Sequence, residues 1–115
     1  YRIDGVYHTV NPIANNHVKI YKENTREYTL MKTKHFGDAL QMEVGALMVG
    51  KIVNHDGAGS MKRGIEKGYF KFGGSTIILL FEKDRVEIRE ELLERTKNQC
   101  ETKIKQGEMI GRALV

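Results

Sequence analysis

Ser75 follows Gly73-Gly74 and leads into the apolar run Thr76-Ile77-Ile78-Leu79-Leu80-Phe81. Two glycines leave the Gly74 carbonyl unobstructed, so the Ser75 hydroxyl could attack that carbon and convert the amide into an ester. Taken alone, Gly-Gly between strand-like runs is also an ordinary hairpin turn, because glycine supplies the positive φ that such turns demand. His55 beside Asp56 is a second candidate: a carboxylate can orient an imidazole for base work, although a solvated loop pair is the simpler reading. The stretch Gly57-Ala58-Gly59-Ser60-Met61-Lys62-Arg63-Gly64 offers main-chain amides and the Lys62 and Arg63 charges to a phosphate. It lacks full phosphate-loop spacing and reads first as a surface hairpin. His8, His17 and His35 show no paired ligand spacing, so no metal site is expected. Cys100 is the single cysteine and can form no internal disulfide.

The elements that must hold these groups are mainly β. Val6 to Ile13 and Val18 to Tyr21 read as short strands, stopped by Asn11-Pro12 and by the polar turn at Lys22-Glu23-Asn24-Thr25. Glu27 to Thr33 is a further strand, with a turn near Phe36-Gly37-Asp38. Ala39 to Val53 contains Gly45 and Gly50, which suit two strands or one bent strand better than a helix. Tyr69 to Phe72 and Thr76 to Phe81 are predicted to pair, the second buried on both faces. Only in Val86 to Gln99 does the period change, and an amphipathic helix is predicted over Glu90 to Lys97, with Ile88, Leu92 and Leu93 on its apolar side. Thr102 to Val115 closes as a strand or hairpin. The segments Lys62 to Gly68 and Lys105 to Gly111 share a Lys-x-Gly-x-x-x-Gly frame.

A chain of 115 residues fits one domain, here residues 1–115, with a single core. The longest apolar run, Ile77 to Phe81, is too short to cross a bilayer. The net charge of +4 favours anionic partners. It is spread along the chain without interleaved aromatics, which argues against nucleic acid.

The arrangement from Gly64 to Phe81, with its Gly-Tyr-Phe strand, Gly-Gly-Ser-Thr step and apolar strand, resembles the self-cleavage site of phosphatidylserine decarboxylases. Tyr7-His8-Thr9-Val10-Asn11-Pro12, Glu23-Asn24-Thr25-Arg26, Thr33-Lys34-His35-Phe36-Gly37 and Val44 to Gly50 are similar to further blocks of that family, in its order. The resemblance implies that Ser75 is the precursor of a covalent pyruvoyl cofactor and forms the Schiff base with substrate, and that Gly74 is its partner at the scissile bond. It implies processing into residues 1–74 and 75–115, which stay associated, and decarboxylation of phosphatidylserine to phosphatidylethanolamine. It also implies peripheral attachment at the cytoplasmic face of a bacterial membrane and an anionic lipid surface as partner.

The family's Asp and His of self-cleavage lie upstream of the matched part, so the base and its orienting acid stay unassigned. The matched part is expected to be the C-terminal half to two-thirds of a bacterial enzyme, a fragment unprocessed and inactive by itself. Lys62, Arg63 and His55 remain candidates for substrate binding. An apolar sheet without its cover could favour a homodimer. The implied fold is an antiparallel β-sandwich or half-barrel similar to the lipoyl-like barrel-sandwich hybrids, whose paired turns the repeated glycine frame resembles. Two alternatives stay open: a lipoyl-like carrier or interaction module, modified at Met61-Lys62 or Met31-Lys32, and an archaetidylserine decarboxylase acting on ether lipids.

Overall fold

A computed structural model of the chain describes residues 1–6, 24–46, 51–55, 57, 59–72 and 75–114. The predicted strands over 6–13 and 18–21, and the residues His8, His17, Asp56 and Gly74, fall wholly or largely outside these. Among the described residues the elements follow in order: β1 (Arg2–Ile3), β2 (Arg26–Lys32), β3 (Asp38–Val44), β4 (Ile52–Asn54), β5 (Gly68–Phe70), β6 (Thr76–Phe81), β7 (Val86–Ile88), α1 (Glu90–Lys97) and β8 (Gly111–Ala113). The fold is mainly β with antiparallel pairing and one short helix, and the described residues form no closed barrel. One sheet has the order β1-β2-β3-β6, and β4-β5 and β7-β8 are two-stranded. The chain clusters into two compact units, Tyr1–Thr29 with Leu40–Leu79, and Leu30–Ala39 with Leu80–Val115.

In the first unit the buried apolar side chains are Val44, Ala46 and Ile52, and the polar residues Asn24, Thr25 and Glu43 are buried among the same elements. The run Ala39 to Val53 resolves into two strands, β3 and β4. Two expectations are corrected here. Tyr69 to Phe72 does not pair with Thr76 to Phe81: β5 pairs with β4, in the register Ile52↔Phe70, Val53↔Tyr69 and Asn54↔Gly68. Phe72 takes φ 65°, a left-handed conformation that ends the strand direction before β6 begins. Nor is β6 buried on both faces. Among the described residues it is the last strand of its sheet, and Ile77 and Leu80 are each 54% exposed.

The second unit contains α1 at the predicted bounds, with Glu90 and Glu91 in its first turn and Arg95 and Lys97 in its last, the charge order that the helix dipole favours. None of its residues is buried, and Ile88 belongs to β7 rather than to its apolar face. The strand β7 hides in the charged run, where Val86-Glu87-Ile88 has period two. Of the closing segment only Gly111–Ala113 is strand, paired to β7. Arg89 reaches Glu108 at 2.9 Å. The Lys105 main-chain N–H, and after it Arg89, hold the Glu108 carboxyl below its usual range.

The repeated glycine frame is a repeated structure. Gly64 and Gly107 both have positive φ, 81° and 79°, and each sits in a turn, closed by Ile65 N–H donating to Lys62 O and by Glu108 N–H donating to Lys105 O. Gly68 and Gly111 each open the second strand of a three-residue antiparallel pair. The flanking bonds match as well: His55 N–H donates to Lys67 O as Arg89 N–H does to Ile110 O. Lys71 N–H donates to Lys51 O as Leu114 N–H does to Arg85 O.

At Gly68 a Cβ would collide with the Val53 carbonyl and lie 2.9 Å from Asn54 Cα. At Gly111 it would lie 2.6 Å from the Glu87 carbonyl oxygen. Gly68→Ala is therefore expected to force β4 and β5 apart and cost about 1–3 kcal/mol, read from urea denaturation. Gly64→Ala meets open space instead, so its cost comes from backbone strain alone.

Candidate functional site

Ser75 sits immediately before β6, part-buried, and its hydroxyl donates to the main-chain carbonyl of Val44 at the end of β3. That carbonyl belongs to a main-chain stretch held on both sides just past β3. Gly45 N–H, in the same peptide plane, donates to Thr25 O at 2.8 Å, and Asn24 Nδ2 donates to Gly45 O at 2.7 Å. Thr25 is tied in turn: its N–H donates to Val6 O at 3.1 Å, and its hydroxyl donates to Gly5 O while accepting from Gly5 N–H, both at 3.0 Å. Asn24 and Thr25 are at most 1% exposed, so water does not compete for these bonds.

On the neighbouring residue of β3, Glu43 meets Lys67. Lys67 Nζ lies 2.6 Å from Glu43 Oε1 and 2.7 Å from Asn54 Oδ1, and Gln41 Nε2 donates to the same Glu43 oxygen at 2.8 Å. Gln41 and Glu43 are two residues apart on one strand and share its face. With Asn54, Lys67, Phe70 and Ile77 they line a cavity of about 110 Å³. Asn54 Nδ2 extends the network to Glu27 Oε2 at 2.6 Å, and Glu27 holds Arg2 at 2.9 Å.

The other candidates lie elsewhere on the surface. His55 Nε2 is 2.7 Å from Glu66 Oε1, with side chains 48% and 67% exposed, so its described carboxylate neighbour is Glu66. Lys62 and Arg63 are exposed. No hydrogen bond among the described residues joins Ser75 to His55, Lys62 or Arg63. No cluster of metal-ligating side chains occurs among the described residues, His35 is exposed, and Cys100 is an exposed free thiol. The buried polar residues Asn24, Thr25 and Glu43 were not singled out by sequence reasoning as site residues. The first two stand in a segment whose composition reads as a turn, and only the resemblance of Glu23-Asn24-Thr25-Arg26 to a family block marks it.

The family model for phosphatidylserine decarboxylase matches residues 1–112. Phosphatidylserine decarboxylase proenzyme 2 of Clostridium acetobutylicum is 54% identical over 109 residues, 95% of this chain and 37% of that protein. The proenzyme of Clostridium novyi is 48% identical over 115 residues, 98% of this chain and 39% of its own length. That of Desulfitobacterium hafniense is 47% identical over 113 residues, 96% and 38% respectively. The chain belongs to the phosphatidylserine decarboxylase family. It spans less than two-fifths of the length of these relatives, a smaller share than the half to two-thirds expected from the motifs. No solved structure matches it. No helix among the described residues is long and apolar enough to cross a membrane.

Proposed function

We propose that this chain carries the self-cleaving, pyruvoyl-forming segment of a phosphatidylserine decarboxylase, with the break at Gly74-Ser75. The single observation that carries the reading is the family match over residues 1–112, which includes the Gly-Gly-Ser-Thr step. The position of Ser75 supports it. A hydroxyl that has given its hydrogen to a carbonyl keeps its lone pairs for attack on the preceding carbonyl carbon.

In the proposed cleavage, Oγ bonds to the Gly74 carbonyl carbon as the amide C–N bond breaks, and the hydroxyl proton ends on the released nitrogen. Loss of the Ser75 α-proton then expels the Gly74 carboxylate from Cβ. The dehydroalanine left behind takes up water and releases ammonia, with no oxidant or reductant required. Residues 1–74 and 75–115 stay associated. Once formed, the pyruvoyl group supplies a carbonyl that condenses with the substrate amine and takes up the electrons released with carbon dioxide.

A peptide carbonyl such as that of Val44 orients the hydroxyl but cannot take its proton outright, so a base from outside the described residues completes the site. Exposed Lys62 and Arg63 are suited to meet a headgroup phosphate, and exposed His55 remains a weaker candidate at the headgroup. Because the substrate is a phospholipid, the enzyme works as a peripheral protein at the cytoplasmic face of the bacterial membrane, where anionic lipid attracts the +4 chain. The exposed apolar side chains of β6 could also serve a homodimer.

Denaturing intact-mass spectrometry tests the reading. A proenzyme as long as its relatives is expected to yield two pieces, the second beginning at residue 75 with a blocked terminus, while residues 1–115 alone stay whole. An intact Gly74-Ser75 bond in an active full-length enzyme would sink it.

A further inference from the structure

We infer that Asn24 is a positioning residue for self-cleavage, acting on the Ser75 hydroxyl through the two peptides that flank Gly45. The inference rests on the reading of Ser75 given above. The Val44-Gly45 peptide is planar, so fixing its N–H fixes the direction of its carbonyl. Thr25 O holds that N–H at 2.8 Å, and Asn24 Nδ2 holds the next carbonyl, that of Gly45, at 2.7 Å. The main chain just past β3 is thus pinned at two successive peptides, and the Val44 carbonyl that accepts the Ser75 hydrogen bond has little freedom to rotate.

The bonds also reinforce one another. A peptide whose N–H is already engaged has a more polarised carbonyl and accepts more strongly, so Thr25 O and Ser75 Oγ cooperate across one peptide plane. Burial makes the device depend on the Asn24 side chain. Asn24 is fully buried and Val44 is 0% exposed, so a lost amide donor is not replaced by solvent. Attack on a neighbouring carbonyl is sensitive to placement, and a shift of about 1 Å can cost about 100-fold in rate.

The test uses the full-length proenzyme and follows the appearance of the piece beginning at residue 75 by intact mass, beside thermal melting. Asn24→Ala is expected to slow cleavage by about 100-fold while the turnover of each cleaved chain falls far less, because the serine hydroxyl no longer exists after cleavage. A merely structural role would lower both in step, and that result overturns the inference.

Thr25→Val keeps the side-chain shape but removes the hydroxyl that anchors Thr25, the neighbour of Asn24, to Gly5. It is expected to slow cleavage in the same sense, with Thr25→Ser restoring it. A folded Thr25→Val proenzyme that cleaves at the parent rate overturns the inference even if Asn24→Ala does not fold. Ser75→Ala separates the two levels. Cleavage in that variant removes the reading of Ser75 itself, whereas its absence, together with normal cleavage of a folded Asn24→Ala protein, removes only the role of Asn24.

Discussion

A full-length proenzyme carrying Ser75→Ala is expected to run as a single uncleaved mass and to release no carbon dioxide from phosphatidylserine. Both losses have one chemical cause. Alanine has no oxygen to attack the Gly74 carbonyl, and without an ester at Cβ nothing can be expelled to open the backbone. The folded protein should hardly notice. Ser75 is part-buried and among the described residues its hydroxyl bonds to Val44 O, so the substitution forfeits about 1 kcal/mol of hydrogen bonding. Melting close to that of the parent, with cleavage and decarboxylation both gone, assigns the loss to chemistry. A processed, active alanine variant would mean that another residue supplies the carbonyl cofactor.

Local signals in the sequence are legible because their causes are local. The helix over Glu90–Lys97 follows from its apolar spacing and its charge order, and the glycine frame at 62–68 and 105–111 from turns that need a positive φ at Gly64 and Gly107. What the sequence hides is pairing and burial. Nothing in Gly68-Tyr69-Phe70 says that its partner is Ile52-Val53-Asn54 rather than the strand just after it, since short strands of similar composition can pair either way. Branched residues in Thr76–Phe81 suggest burial on both faces, yet a strand at the end of a sheet leaves half of such residues to whatever covers it.

The site divides along the same line. Ser75 is marked as a candidate by its two preceding glycines and by the family likeness. Its hydrogen-bond acceptor lies 31 residues earlier, on a residue whose type is irrelevant because its main chain does the work. Asn24, Thr25 and Glu43 have compositions of turn and surface, and only tertiary packing buries them.

Lys67→Met is expected to cost about 3–5 kcal/mol, because it leaves the largely buried Glu43 carboxylate without its cation. The side chains of Lys67 and Glu43 are 17% and 6% exposed and meet at 2.6 Å. With Lys67 gone, Glu43 Oε1 would keep only the Gln41 amide, and Glu43 Oε2 is already buried with no partner among the described residues. Asn54 Oδ1 would lose the same ammonium.

Removing both charges should behave differently. Glu43→Leu with Lys67→Met fills similar volume with apolar atoms beside Ile52, Phe70 and Ile77, and such replacements of buried pairs are often neutral or stabilising by about 1–4 kcal/mol. Urea denaturation of the parent, both single variants and the double variant closes the cycle and isolates the coupling. A single-variant loss below about 1 kcal/mol would put the pair in the class of screened surface bridges. A double variant no more stable than Lys67→Met would mean instead that the lysine stem matters more than its charge.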